Sequence, residues 1–136
     1  MATVIRPEVT KRSPWYLEKH RYYELKHFCL QCPTWRKELT YLDGWSGQEH
    51  VVLKGYDTVR PSEVTASKRI FYSDRIAMLE QAANDTDSLI GPYILEGILN
   101  EKSYDTLNAL HRVPACRDVY YELYRKFFYI LSNLRQ

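Results

Sequence analysis

From Trp15 to the C-terminus, the apolar residues of this 136-residue chain return at intervals of three and four, and few segments alternate apolar with polar. Intervals of three and four line one side of an α-helix, whereas a half-buried strand needs every second residue. The expected fold is therefore all-α, a helical bundle of about six helices cut by prolines, glycines and capping residues. Ser13-Pro14 supplies a capping hydroxyl and a proline suited to a first helical turn. A first helix is expected from about Trp15, with Leu17, Tyr22, Leu25, Phe28, Cys29 and Cys32 inward and Pro33 at its end. Thr34 is expected to cap a short second helix carrying Trp35, Leu39 and Leu42, closed by Asp43-Gly44.

Residues 44–61, punctuated by Gly44, Gly47, Gly55 and Pro61, read as a long loop around a short extended piece at Val51-Val52-Leu53. Pro61-Ser62-Glu63 opens a third helix with Ile70, Ile76, Leu79 and Ala83 as core positions, and it runs out at Asn84-Asp85-Thr86-Asp87. Leu89, Ile90, Tyr93, Ile94, Ile98 and Leu99 mark a fourth, with Gly91-Pro92 in its first turn. Ser103 caps a fifth with Tyr104, Leu107 and Leu110 inward, and the sixth runs from about Ala115 to the end. The chain thus divides into a flexible arm (1–14), a helical scaffold or interaction region (15–100) and a C-terminal helix-turn-helix (101–136).

Net charge is only +2, too small to argue for a polyanionic partner from the total. The distribution is more informative. Residues 1–45 carry eight Lys or Arg against five Asp or Glu, residues 46–100 five against eight, and residues 101–136 six against four. Contact with a polyanion is expected at the two basic ends. No apolar run reaches the roughly 18 residues of a membrane span, and residues 1–7 lack the apolar core of a signal peptide. Three cysteines, an odd number, fit a reducing compartment. The cytoplasm is the expected location, with no membrane partner.

Residues 103–131 have the dimensions of a helix, a short turn and a longer helix, as in DNA-binding helix-turn-helix units. Val113 is the apolar residue of the turn, and Pro114 sets the start of the last helix. On that helix Cys116, Tyr120, Leu123, Phe127, Ile130, Leu131 and Leu134 are expected inside. Opposite them stand Arg117, Tyr121, Tyr124, Arg125 and Phe128. Arginine can grip guanine edges or phosphates in bidentate fashion, and a tyrosine hydroxyl reaches phosphate. Arg117, Tyr121, Tyr124 and Arg125 are the expected DNA-facing residues, and Arg112 and Lys126 the phosphate anchors. Asp118 is expected to serve the helix N-terminus.

The strings Ile76-Ala77-Met78-Leu79-Glu80-Gln81-Ala82-Ala83, Tyr93-Ile94-Leu95, Val113-Pro114, Tyr120-Tyr121 and Arg125-Lys126-Phe127-Phe128 resemble small phage transcriptional regulators. These are the RinA-like and ArpU-like late-gene activators of phages infecting low-GC Gram-positive bacteria. The stretches Trp15-Tyr16-Leu17, Tyr22-Tyr23-Glu24-Leu25 and Phe28-Cys29-Leu30-Gln31 are similar to the same group. The resemblance implies a C-terminal helix-turn-helix similar to the promoter-reading region of a sigma factor. It also implies double-stranded DNA as partner, with host RNA polymerase as a further contact. Residues 44–61 depart from it, being longer and richer in glycine.

No Ser-centred elbow, phosphate-cradling glycine loop, H-E-x-x-H or paired-carboxylate motif is present, so a non-enzymatic protein without cofactor is expected. Cys29 and Cys32 have C-x-x-C spacing near His20 and His27. Zinc needs a tetrahedral set that nothing else in the pattern supplies, so no metal is expected and the thiols read as core residues. The alternative to a DNA-binding regulator is a small phage protein-interaction module that inhibits a host or defence protein. A homodimer is among the expected assemblies in either case.

Overall fold

The computed structural model describes residues 14–45 and 61–136, and among them every regular element is a helix. They are α1 (Lys19–Leu30), α2 (Cys32–Trp45), α3 (Pro61–Thr86), α4 (Gly91–Leu99), α5 (Tyr104–His111) and α6 (Arg117–Leu134). Gln31 alone separates α1 from α2, so the two count as one helix if joined. The all-α expectation holds. Nearly all of the arm and most of the 44–61 loop, with Val51-Val52-Leu53, lie outside the described residues. The chain forms two compact units, Met1–Gln31 with Met78–Gln136 and Cys32–Ala77, and α3 passes from the second into the first.

In the first unit, α1 and α4 both pack on α6, α1 packs on α4, and α5 packs on α4. Tyr22, Leu25, Phe28 and Cys29 of α1 meet Ile94, Leu95, Ile98 and Leu99 of α4, Leu107 of α5, and Tyr120, Phe127, Phe128 and Leu131 of α6 in the core. Each such side chain contributes roughly 1.5–3 kcal/mol when fully buried. The segment before α1 is not helical as expected: Glu18 is extended, and α1 starts one turn later than Trp15. Tertiary packing overrides the start signal, for Leu17 is buried and the Trp15 ring stands edge-on to Tyr129 at 5.5 Å.

The α3–α4 corner is dictated locally. Asp87 Oδ1 accepts from the backbone N–H groups of Leu89 and Ile90, both at 2.9 Å. These two bonds hold its carboxyl below the usual aspartate range. Gly91 is required there, because a Cβ would overlap the Ala83 carbonyl oxygen and lie 2.7 Å from its carbon. At the end of α4, Glu101 takes φ 52°, while Lys102 N–H bonds Gly97 O at 2.8 Å and Glu101 N–H bonds Ile98 O at 3.3 Å. This pair of bonds is the Schellman arrangement, normally closed by glycine.

In the second unit, Arg69 donates to the Leu42 carbonyl at 3.0 Å, tying α3 to α2. Trp35, Leu42 and Ile76 are buried. Pro33 stands in the first turn of α2 instead of closing the helix before it, since a missing N–H costs nothing there. Thr34 is likewise inside α2, not its cap, and α2 continues past Asp43-Gly44. Ile70, expected in the core, is 60% exposed, because the inward side of α3 is centred on Arg69, Tyr72, Ile76 and Leu79.

Candidate nucleic-acid interface

The site is built from α5, the connection formed by residues 112–116, and α6. Ser103 caps α5 as its hydroxyl accepts from Thr106 N–H at 3.2 Å. Arg112 ends the helix in the left-handed conformation, φ 53°, with its N–H bonded to Asn108 O at 2.9 Å. Glycine takes this conformation without strain; an arginine holds it at some cost and carries its charge outward. Val113 is buried in the turn, as its apolar character suggested. Leu110, expected inside, is 59% exposed because α5 is too short to wrap both flanks of its stripe around Leu107.

A ladder of aromatic rings fixes the position of α6. Tyr104 donates its hydroxyl to Ala115 O at 2.6 Å, and its backbone N–H donates to the Tyr121 hydroxyl at 3.2 Å. Ring centroids follow at 5.3 Å for Tyr104–Tyr120, 5.0 Å for Tyr120–Tyr121, 5.8 Å for Tyr121–Tyr124 and 5.2 Å for Tyr124–Phe128. The ladder ends on Tyr22 of α1, 5.0 Å from Phe128. Burial pushes the Tyr120 and Tyr124 hydroxyls well above the ordinary phenol range. At the far end of α6, Arg21 of α1 donates to the carbonyls of Ser132 and Arg135 at 3.0 and 2.9 Å, so a cation meets the negative end of the helix.

This packing corrects the sequence-based assignment of the faces. Tyr121 and Tyr124, expected to face DNA, are turned inward: the hydroxyl of the first binds α5, and that of the second lies 3.5 Å from the Tyr22 hydroxyl. Phe128, expected opposite the core, is fully buried, whereas Cys116 and Leu134, expected inside, are exposed. The physical reason is that α1 and α4 cover α6 from two sides, so its buried arc is wider than a single stripe.

The cations fare differently. Arg112 is exposed at the turn. Arg117 is exposed at the start of α6, with its guanidinium 3.3 Å from both carboxylate oxygens of Asp105 and 5.9 Å from the centre of the Tyr121 ring. Arg125 is half-buried and donates to Tyr121 O at 3.4 Å; Lys126 is half-buried with its ammonium 5.5 Å from the Trp15 ring centre. The outward arc of the first two turns consists of Asp118, Val119 and Glu122, all exposed. Neither carboxylate has a partner among the described residues. One turn further on, Arg125 stands at one edge of this arc and Lys126 within it. The Cys116 side chain does not cap α6, so the N–H groups of its first turn point outward unmet by any side-chain cap.

No protein-family model, curated protein or solved structure matches this chain. Its chemistry is therefore read from its own residues. Among the described residues no group of three or more His, Cys, Asp or Glu is placed to hold a metal ion, and Cys29 and Cys32 are buried on different helices. No described helix is long and apolar enough to cross a membrane. One polar node lies behind the turn: Glu96 of α4 accepts from Lys102 Nζ at 3.1 Å and lies 2.9 Å from His111 Nε2. Lys102, then His111, hold its carboxyl below the usual glutamate range. The node braces the end of α5 against α4. Asp118 and Glu122 dilute the charge of this face, as their place in the sequence led one to expect. Sequence reasoning missed Val119, which centring the helical wheel on Tyr120, Phe127 and Leu131 would have turned outward.

Proposed function

We propose that this protein binds double-stranded DNA through α5, the turn and α6, with α6 lying in the major groove, and that it serves as a phage-type transcriptional regulator. The observation that carries the reading is the set of cations around the outward arc of α6. Exposed Arg112 ends α5 and exposed Arg117 opens α6, while half-buried Arg125 and Lys126 follow one turn past Glu122, the first at one edge of the arc and the second within it. A helix inserted in the major groove passes between two phosphate walls, and most protein–DNA hydrogen bonds go to those walls. Positive charge at the start of the helix and again one turn past Glu122 suits contact with those walls. In this reading Tyr121 and Tyr124 are the mounts that hold the arc in place, and host RNA polymerase is a further partner for the scaffold.

Binding measured by fluorescence anisotropy on labelled duplexes tests the reading. Four phosphate contacts correspond to a log–log salt slope of about −3.6, hence a roughly 100-fold loss of affinity between 50 and 200 mM salt. Replacing both Arg117 and Arg125 by Ala is expected to remove about half of that slope and most of the affinity, with the helical circular dichroism intact. Equal affinity of the double variant and the wild type rejects the assignment. A protein-interaction module that binds a host or defence protein is the second reading, favoured by Leu110 and Val119, exposed at 59% and 48% on the same unit. It predicts no duplex binding at either salt concentration.

A further inference from the structure

We infer that His111, Glu96 and Lys102 form a proton-sensitive latch, which holds the end of α5 and the connection after it firmly below neutral pH and more loosely above. The latch belongs to the fold and stands whether or not the connection meets DNA. Three elements converge on one oxygen. Glu96 Oε2, in α4, takes Lys102 Nζ at 3.1 Å from the segment between α4 and α5. The same atom lies 2.9 Å from His111 Nε2, in the last turn of α5. Tyr93 of α4 adds its ring, centred 6.3 Å from that of His111. From α6, Tyr120 feels the charge of Glu96. Arg117 of α6 is engaged at the opposite end of α5, by Asp105 in its first turn. Next in the chain after His111 stands Arg112, exposed and left-handed at φ 53°. Such a residue persists only where its surroundings over-determine it. Here they are the bond to Asn108 O, buried Val113 on one side and the latched His111 on the other.

The two cationic side chains differ in kind. Lysine ordinarily keeps its charge well past neutrality, whereas histidine ordinarily gives up its own between about pH 5 and 8. Glu96, held below the usual glutamate range by Lys102 and then His111, stays a carboxylate across that window. When protonated, His111 makes a charge-assisted bond to Glu96 and sets a positive charge at the negative end of α5. When neutral, its Nε2 can still donate, but a bond of that kind is about half as strong, and the charge at the helix end is gone. The docked end of α5 therefore takes up a proton more readily than the loosened one. By linkage, docking is strongest below the histidine range and weakens as pH rises through it. His111 and Glu96 are 41% and 32% exposed, so the effect is that of a surface pair, local to the end of α5. Arg112, the first cation of the candidate interface, is the residue whose seat it controls.

Water-exchange nuclear magnetic resonance on the full chain tests the latch at the Arg112 N–H, which bonds Asn108 O at 2.9 Å. Rates are taken across the histidine range, from about pH 5.5 to about pH 8, and divided by those of an unstructured peptide. Protection of this amide in wild type is expected to fall roughly two- to fivefold over that interval, as suits a partly exposed ion pair. In Glu96→Gln most of the fall is expected to vanish, leaving only the part owed to charge at the helix end. In His111→Gln all of it is expected to vanish. Circular dichroism checks that each variant is folded. Should Glu96→Gln fail to fold, His111→Gln, at an exposed position, decides alone. Protection in wild type that does not change with pH overturns the latch, and so does a fall of wild-type size in either folded variant. Duplex affinity measured on the same samples is read separately: absence of binding counts against the DNA-binding reading and leaves the latch to be judged by exchange.

Discussion

Gly97 sits in the last turn of α4 beneath the ring of Tyr120, and the pair makes a sharp test of how α6 is seated. A Cβ on Gly97 would lie 2.6 Å from the Tyr120 hydroxyl oxygen, 2.9 Å from Leu107 Cδ1 and 3.2 Å from Lys102 O. Tyr120 and Leu107 are buried, with 1% and 0% of their surface exposed, so neither has solvent to move into. Overpacking of this kind costs about 1–3 kcal/mol, and the better helix propensity of alanine returns about 1 kcal/mol. Gly97→Ala is therefore expected to destabilise the protein by up to about 2 kcal/mol. Tyr120 adds a second effect. Its hydroxyl is buried and has no hydrogen-bond partner, a situation that costs about 1–3 kcal/mol of desolvation. Tyr120→Phe is accordingly expected to be neutral or to stabilise by about 1 kcal/mol, against the usual direction for a core truncation. It also removes the atom nearest to the added methyl group. When Tyr120→Phe is already in place the Leu107 contact remains, so Gly97→Ala is expected to cost less but not nothing, giving a coupling of about 1 kcal/mol between two residues 23 positions apart. Urea unfolding of the four proteins, followed by far-ultraviolet circular dichroism at constant m-value, measures the cycle. Additivity within about 0.5 kcal/mol refutes the steric argument. Destabilisation by Tyr120→Phe of more than about 1 kcal/mol refutes the orphan hydroxyl.

Two further outcomes follow from the polar contacts. Asp105→Asn removes the carboxylate held against Arg117 and is expected to raise affinity for any duplex several-fold, with a steeper salt dependence. An affinity equal to wild type would show that this ion pair does not compete with DNA. The carboxyls of Asp87 and Glu96 are both held below their ordinary values of 3.8 and 4.5, by backbone N–H groups and by Lys102 with His111 respectively. A depressed carboxyl stabilises the fold above its unfolded value and loses that contribution as pH falls through the folded one. Stability is thus expected to decline from about pH 4.5 downward. Asp87→Asn should flatten the decline, and an unchanged pH profile in urea melts of this variant would remove Asp87 from the account.

Much of the helical architecture could be read along the chain because its signals are local. Ser103 caps α5, Gly91-Pro92 opens α4, and Asn100-Glu101-Lys102 is the break, each through bonds that span a single turn. Local signals misled where a distant segment intervened. Ser13-Pro14 pointed to a helix starting at Trp15, but Trp15 and Leu17 serve the core without being helical. Ile70 and Leu110 fitted helical stripes by spacing, yet both are exposed, because the arc that is covered depends on which neighbour packs there.

The candidate interface shows the same division. That the cations Arg112, Arg117, Arg125 and Lys126 belong to one short helical pair was plain from their positions in the chain, since a helix of known period fixes the relative bearing of its own residues. Which bearing faces outward was decided only when α1, from far earlier in the chain, and α4 closed on α6 together. Tyrosine, with an apolar body and a polar tip, is at home inside or outside, so its presence at 121 and 124 could not choose. Packing chose, and it turned the tyrosines in and the carboxylates of Asp118 and Glu122 out.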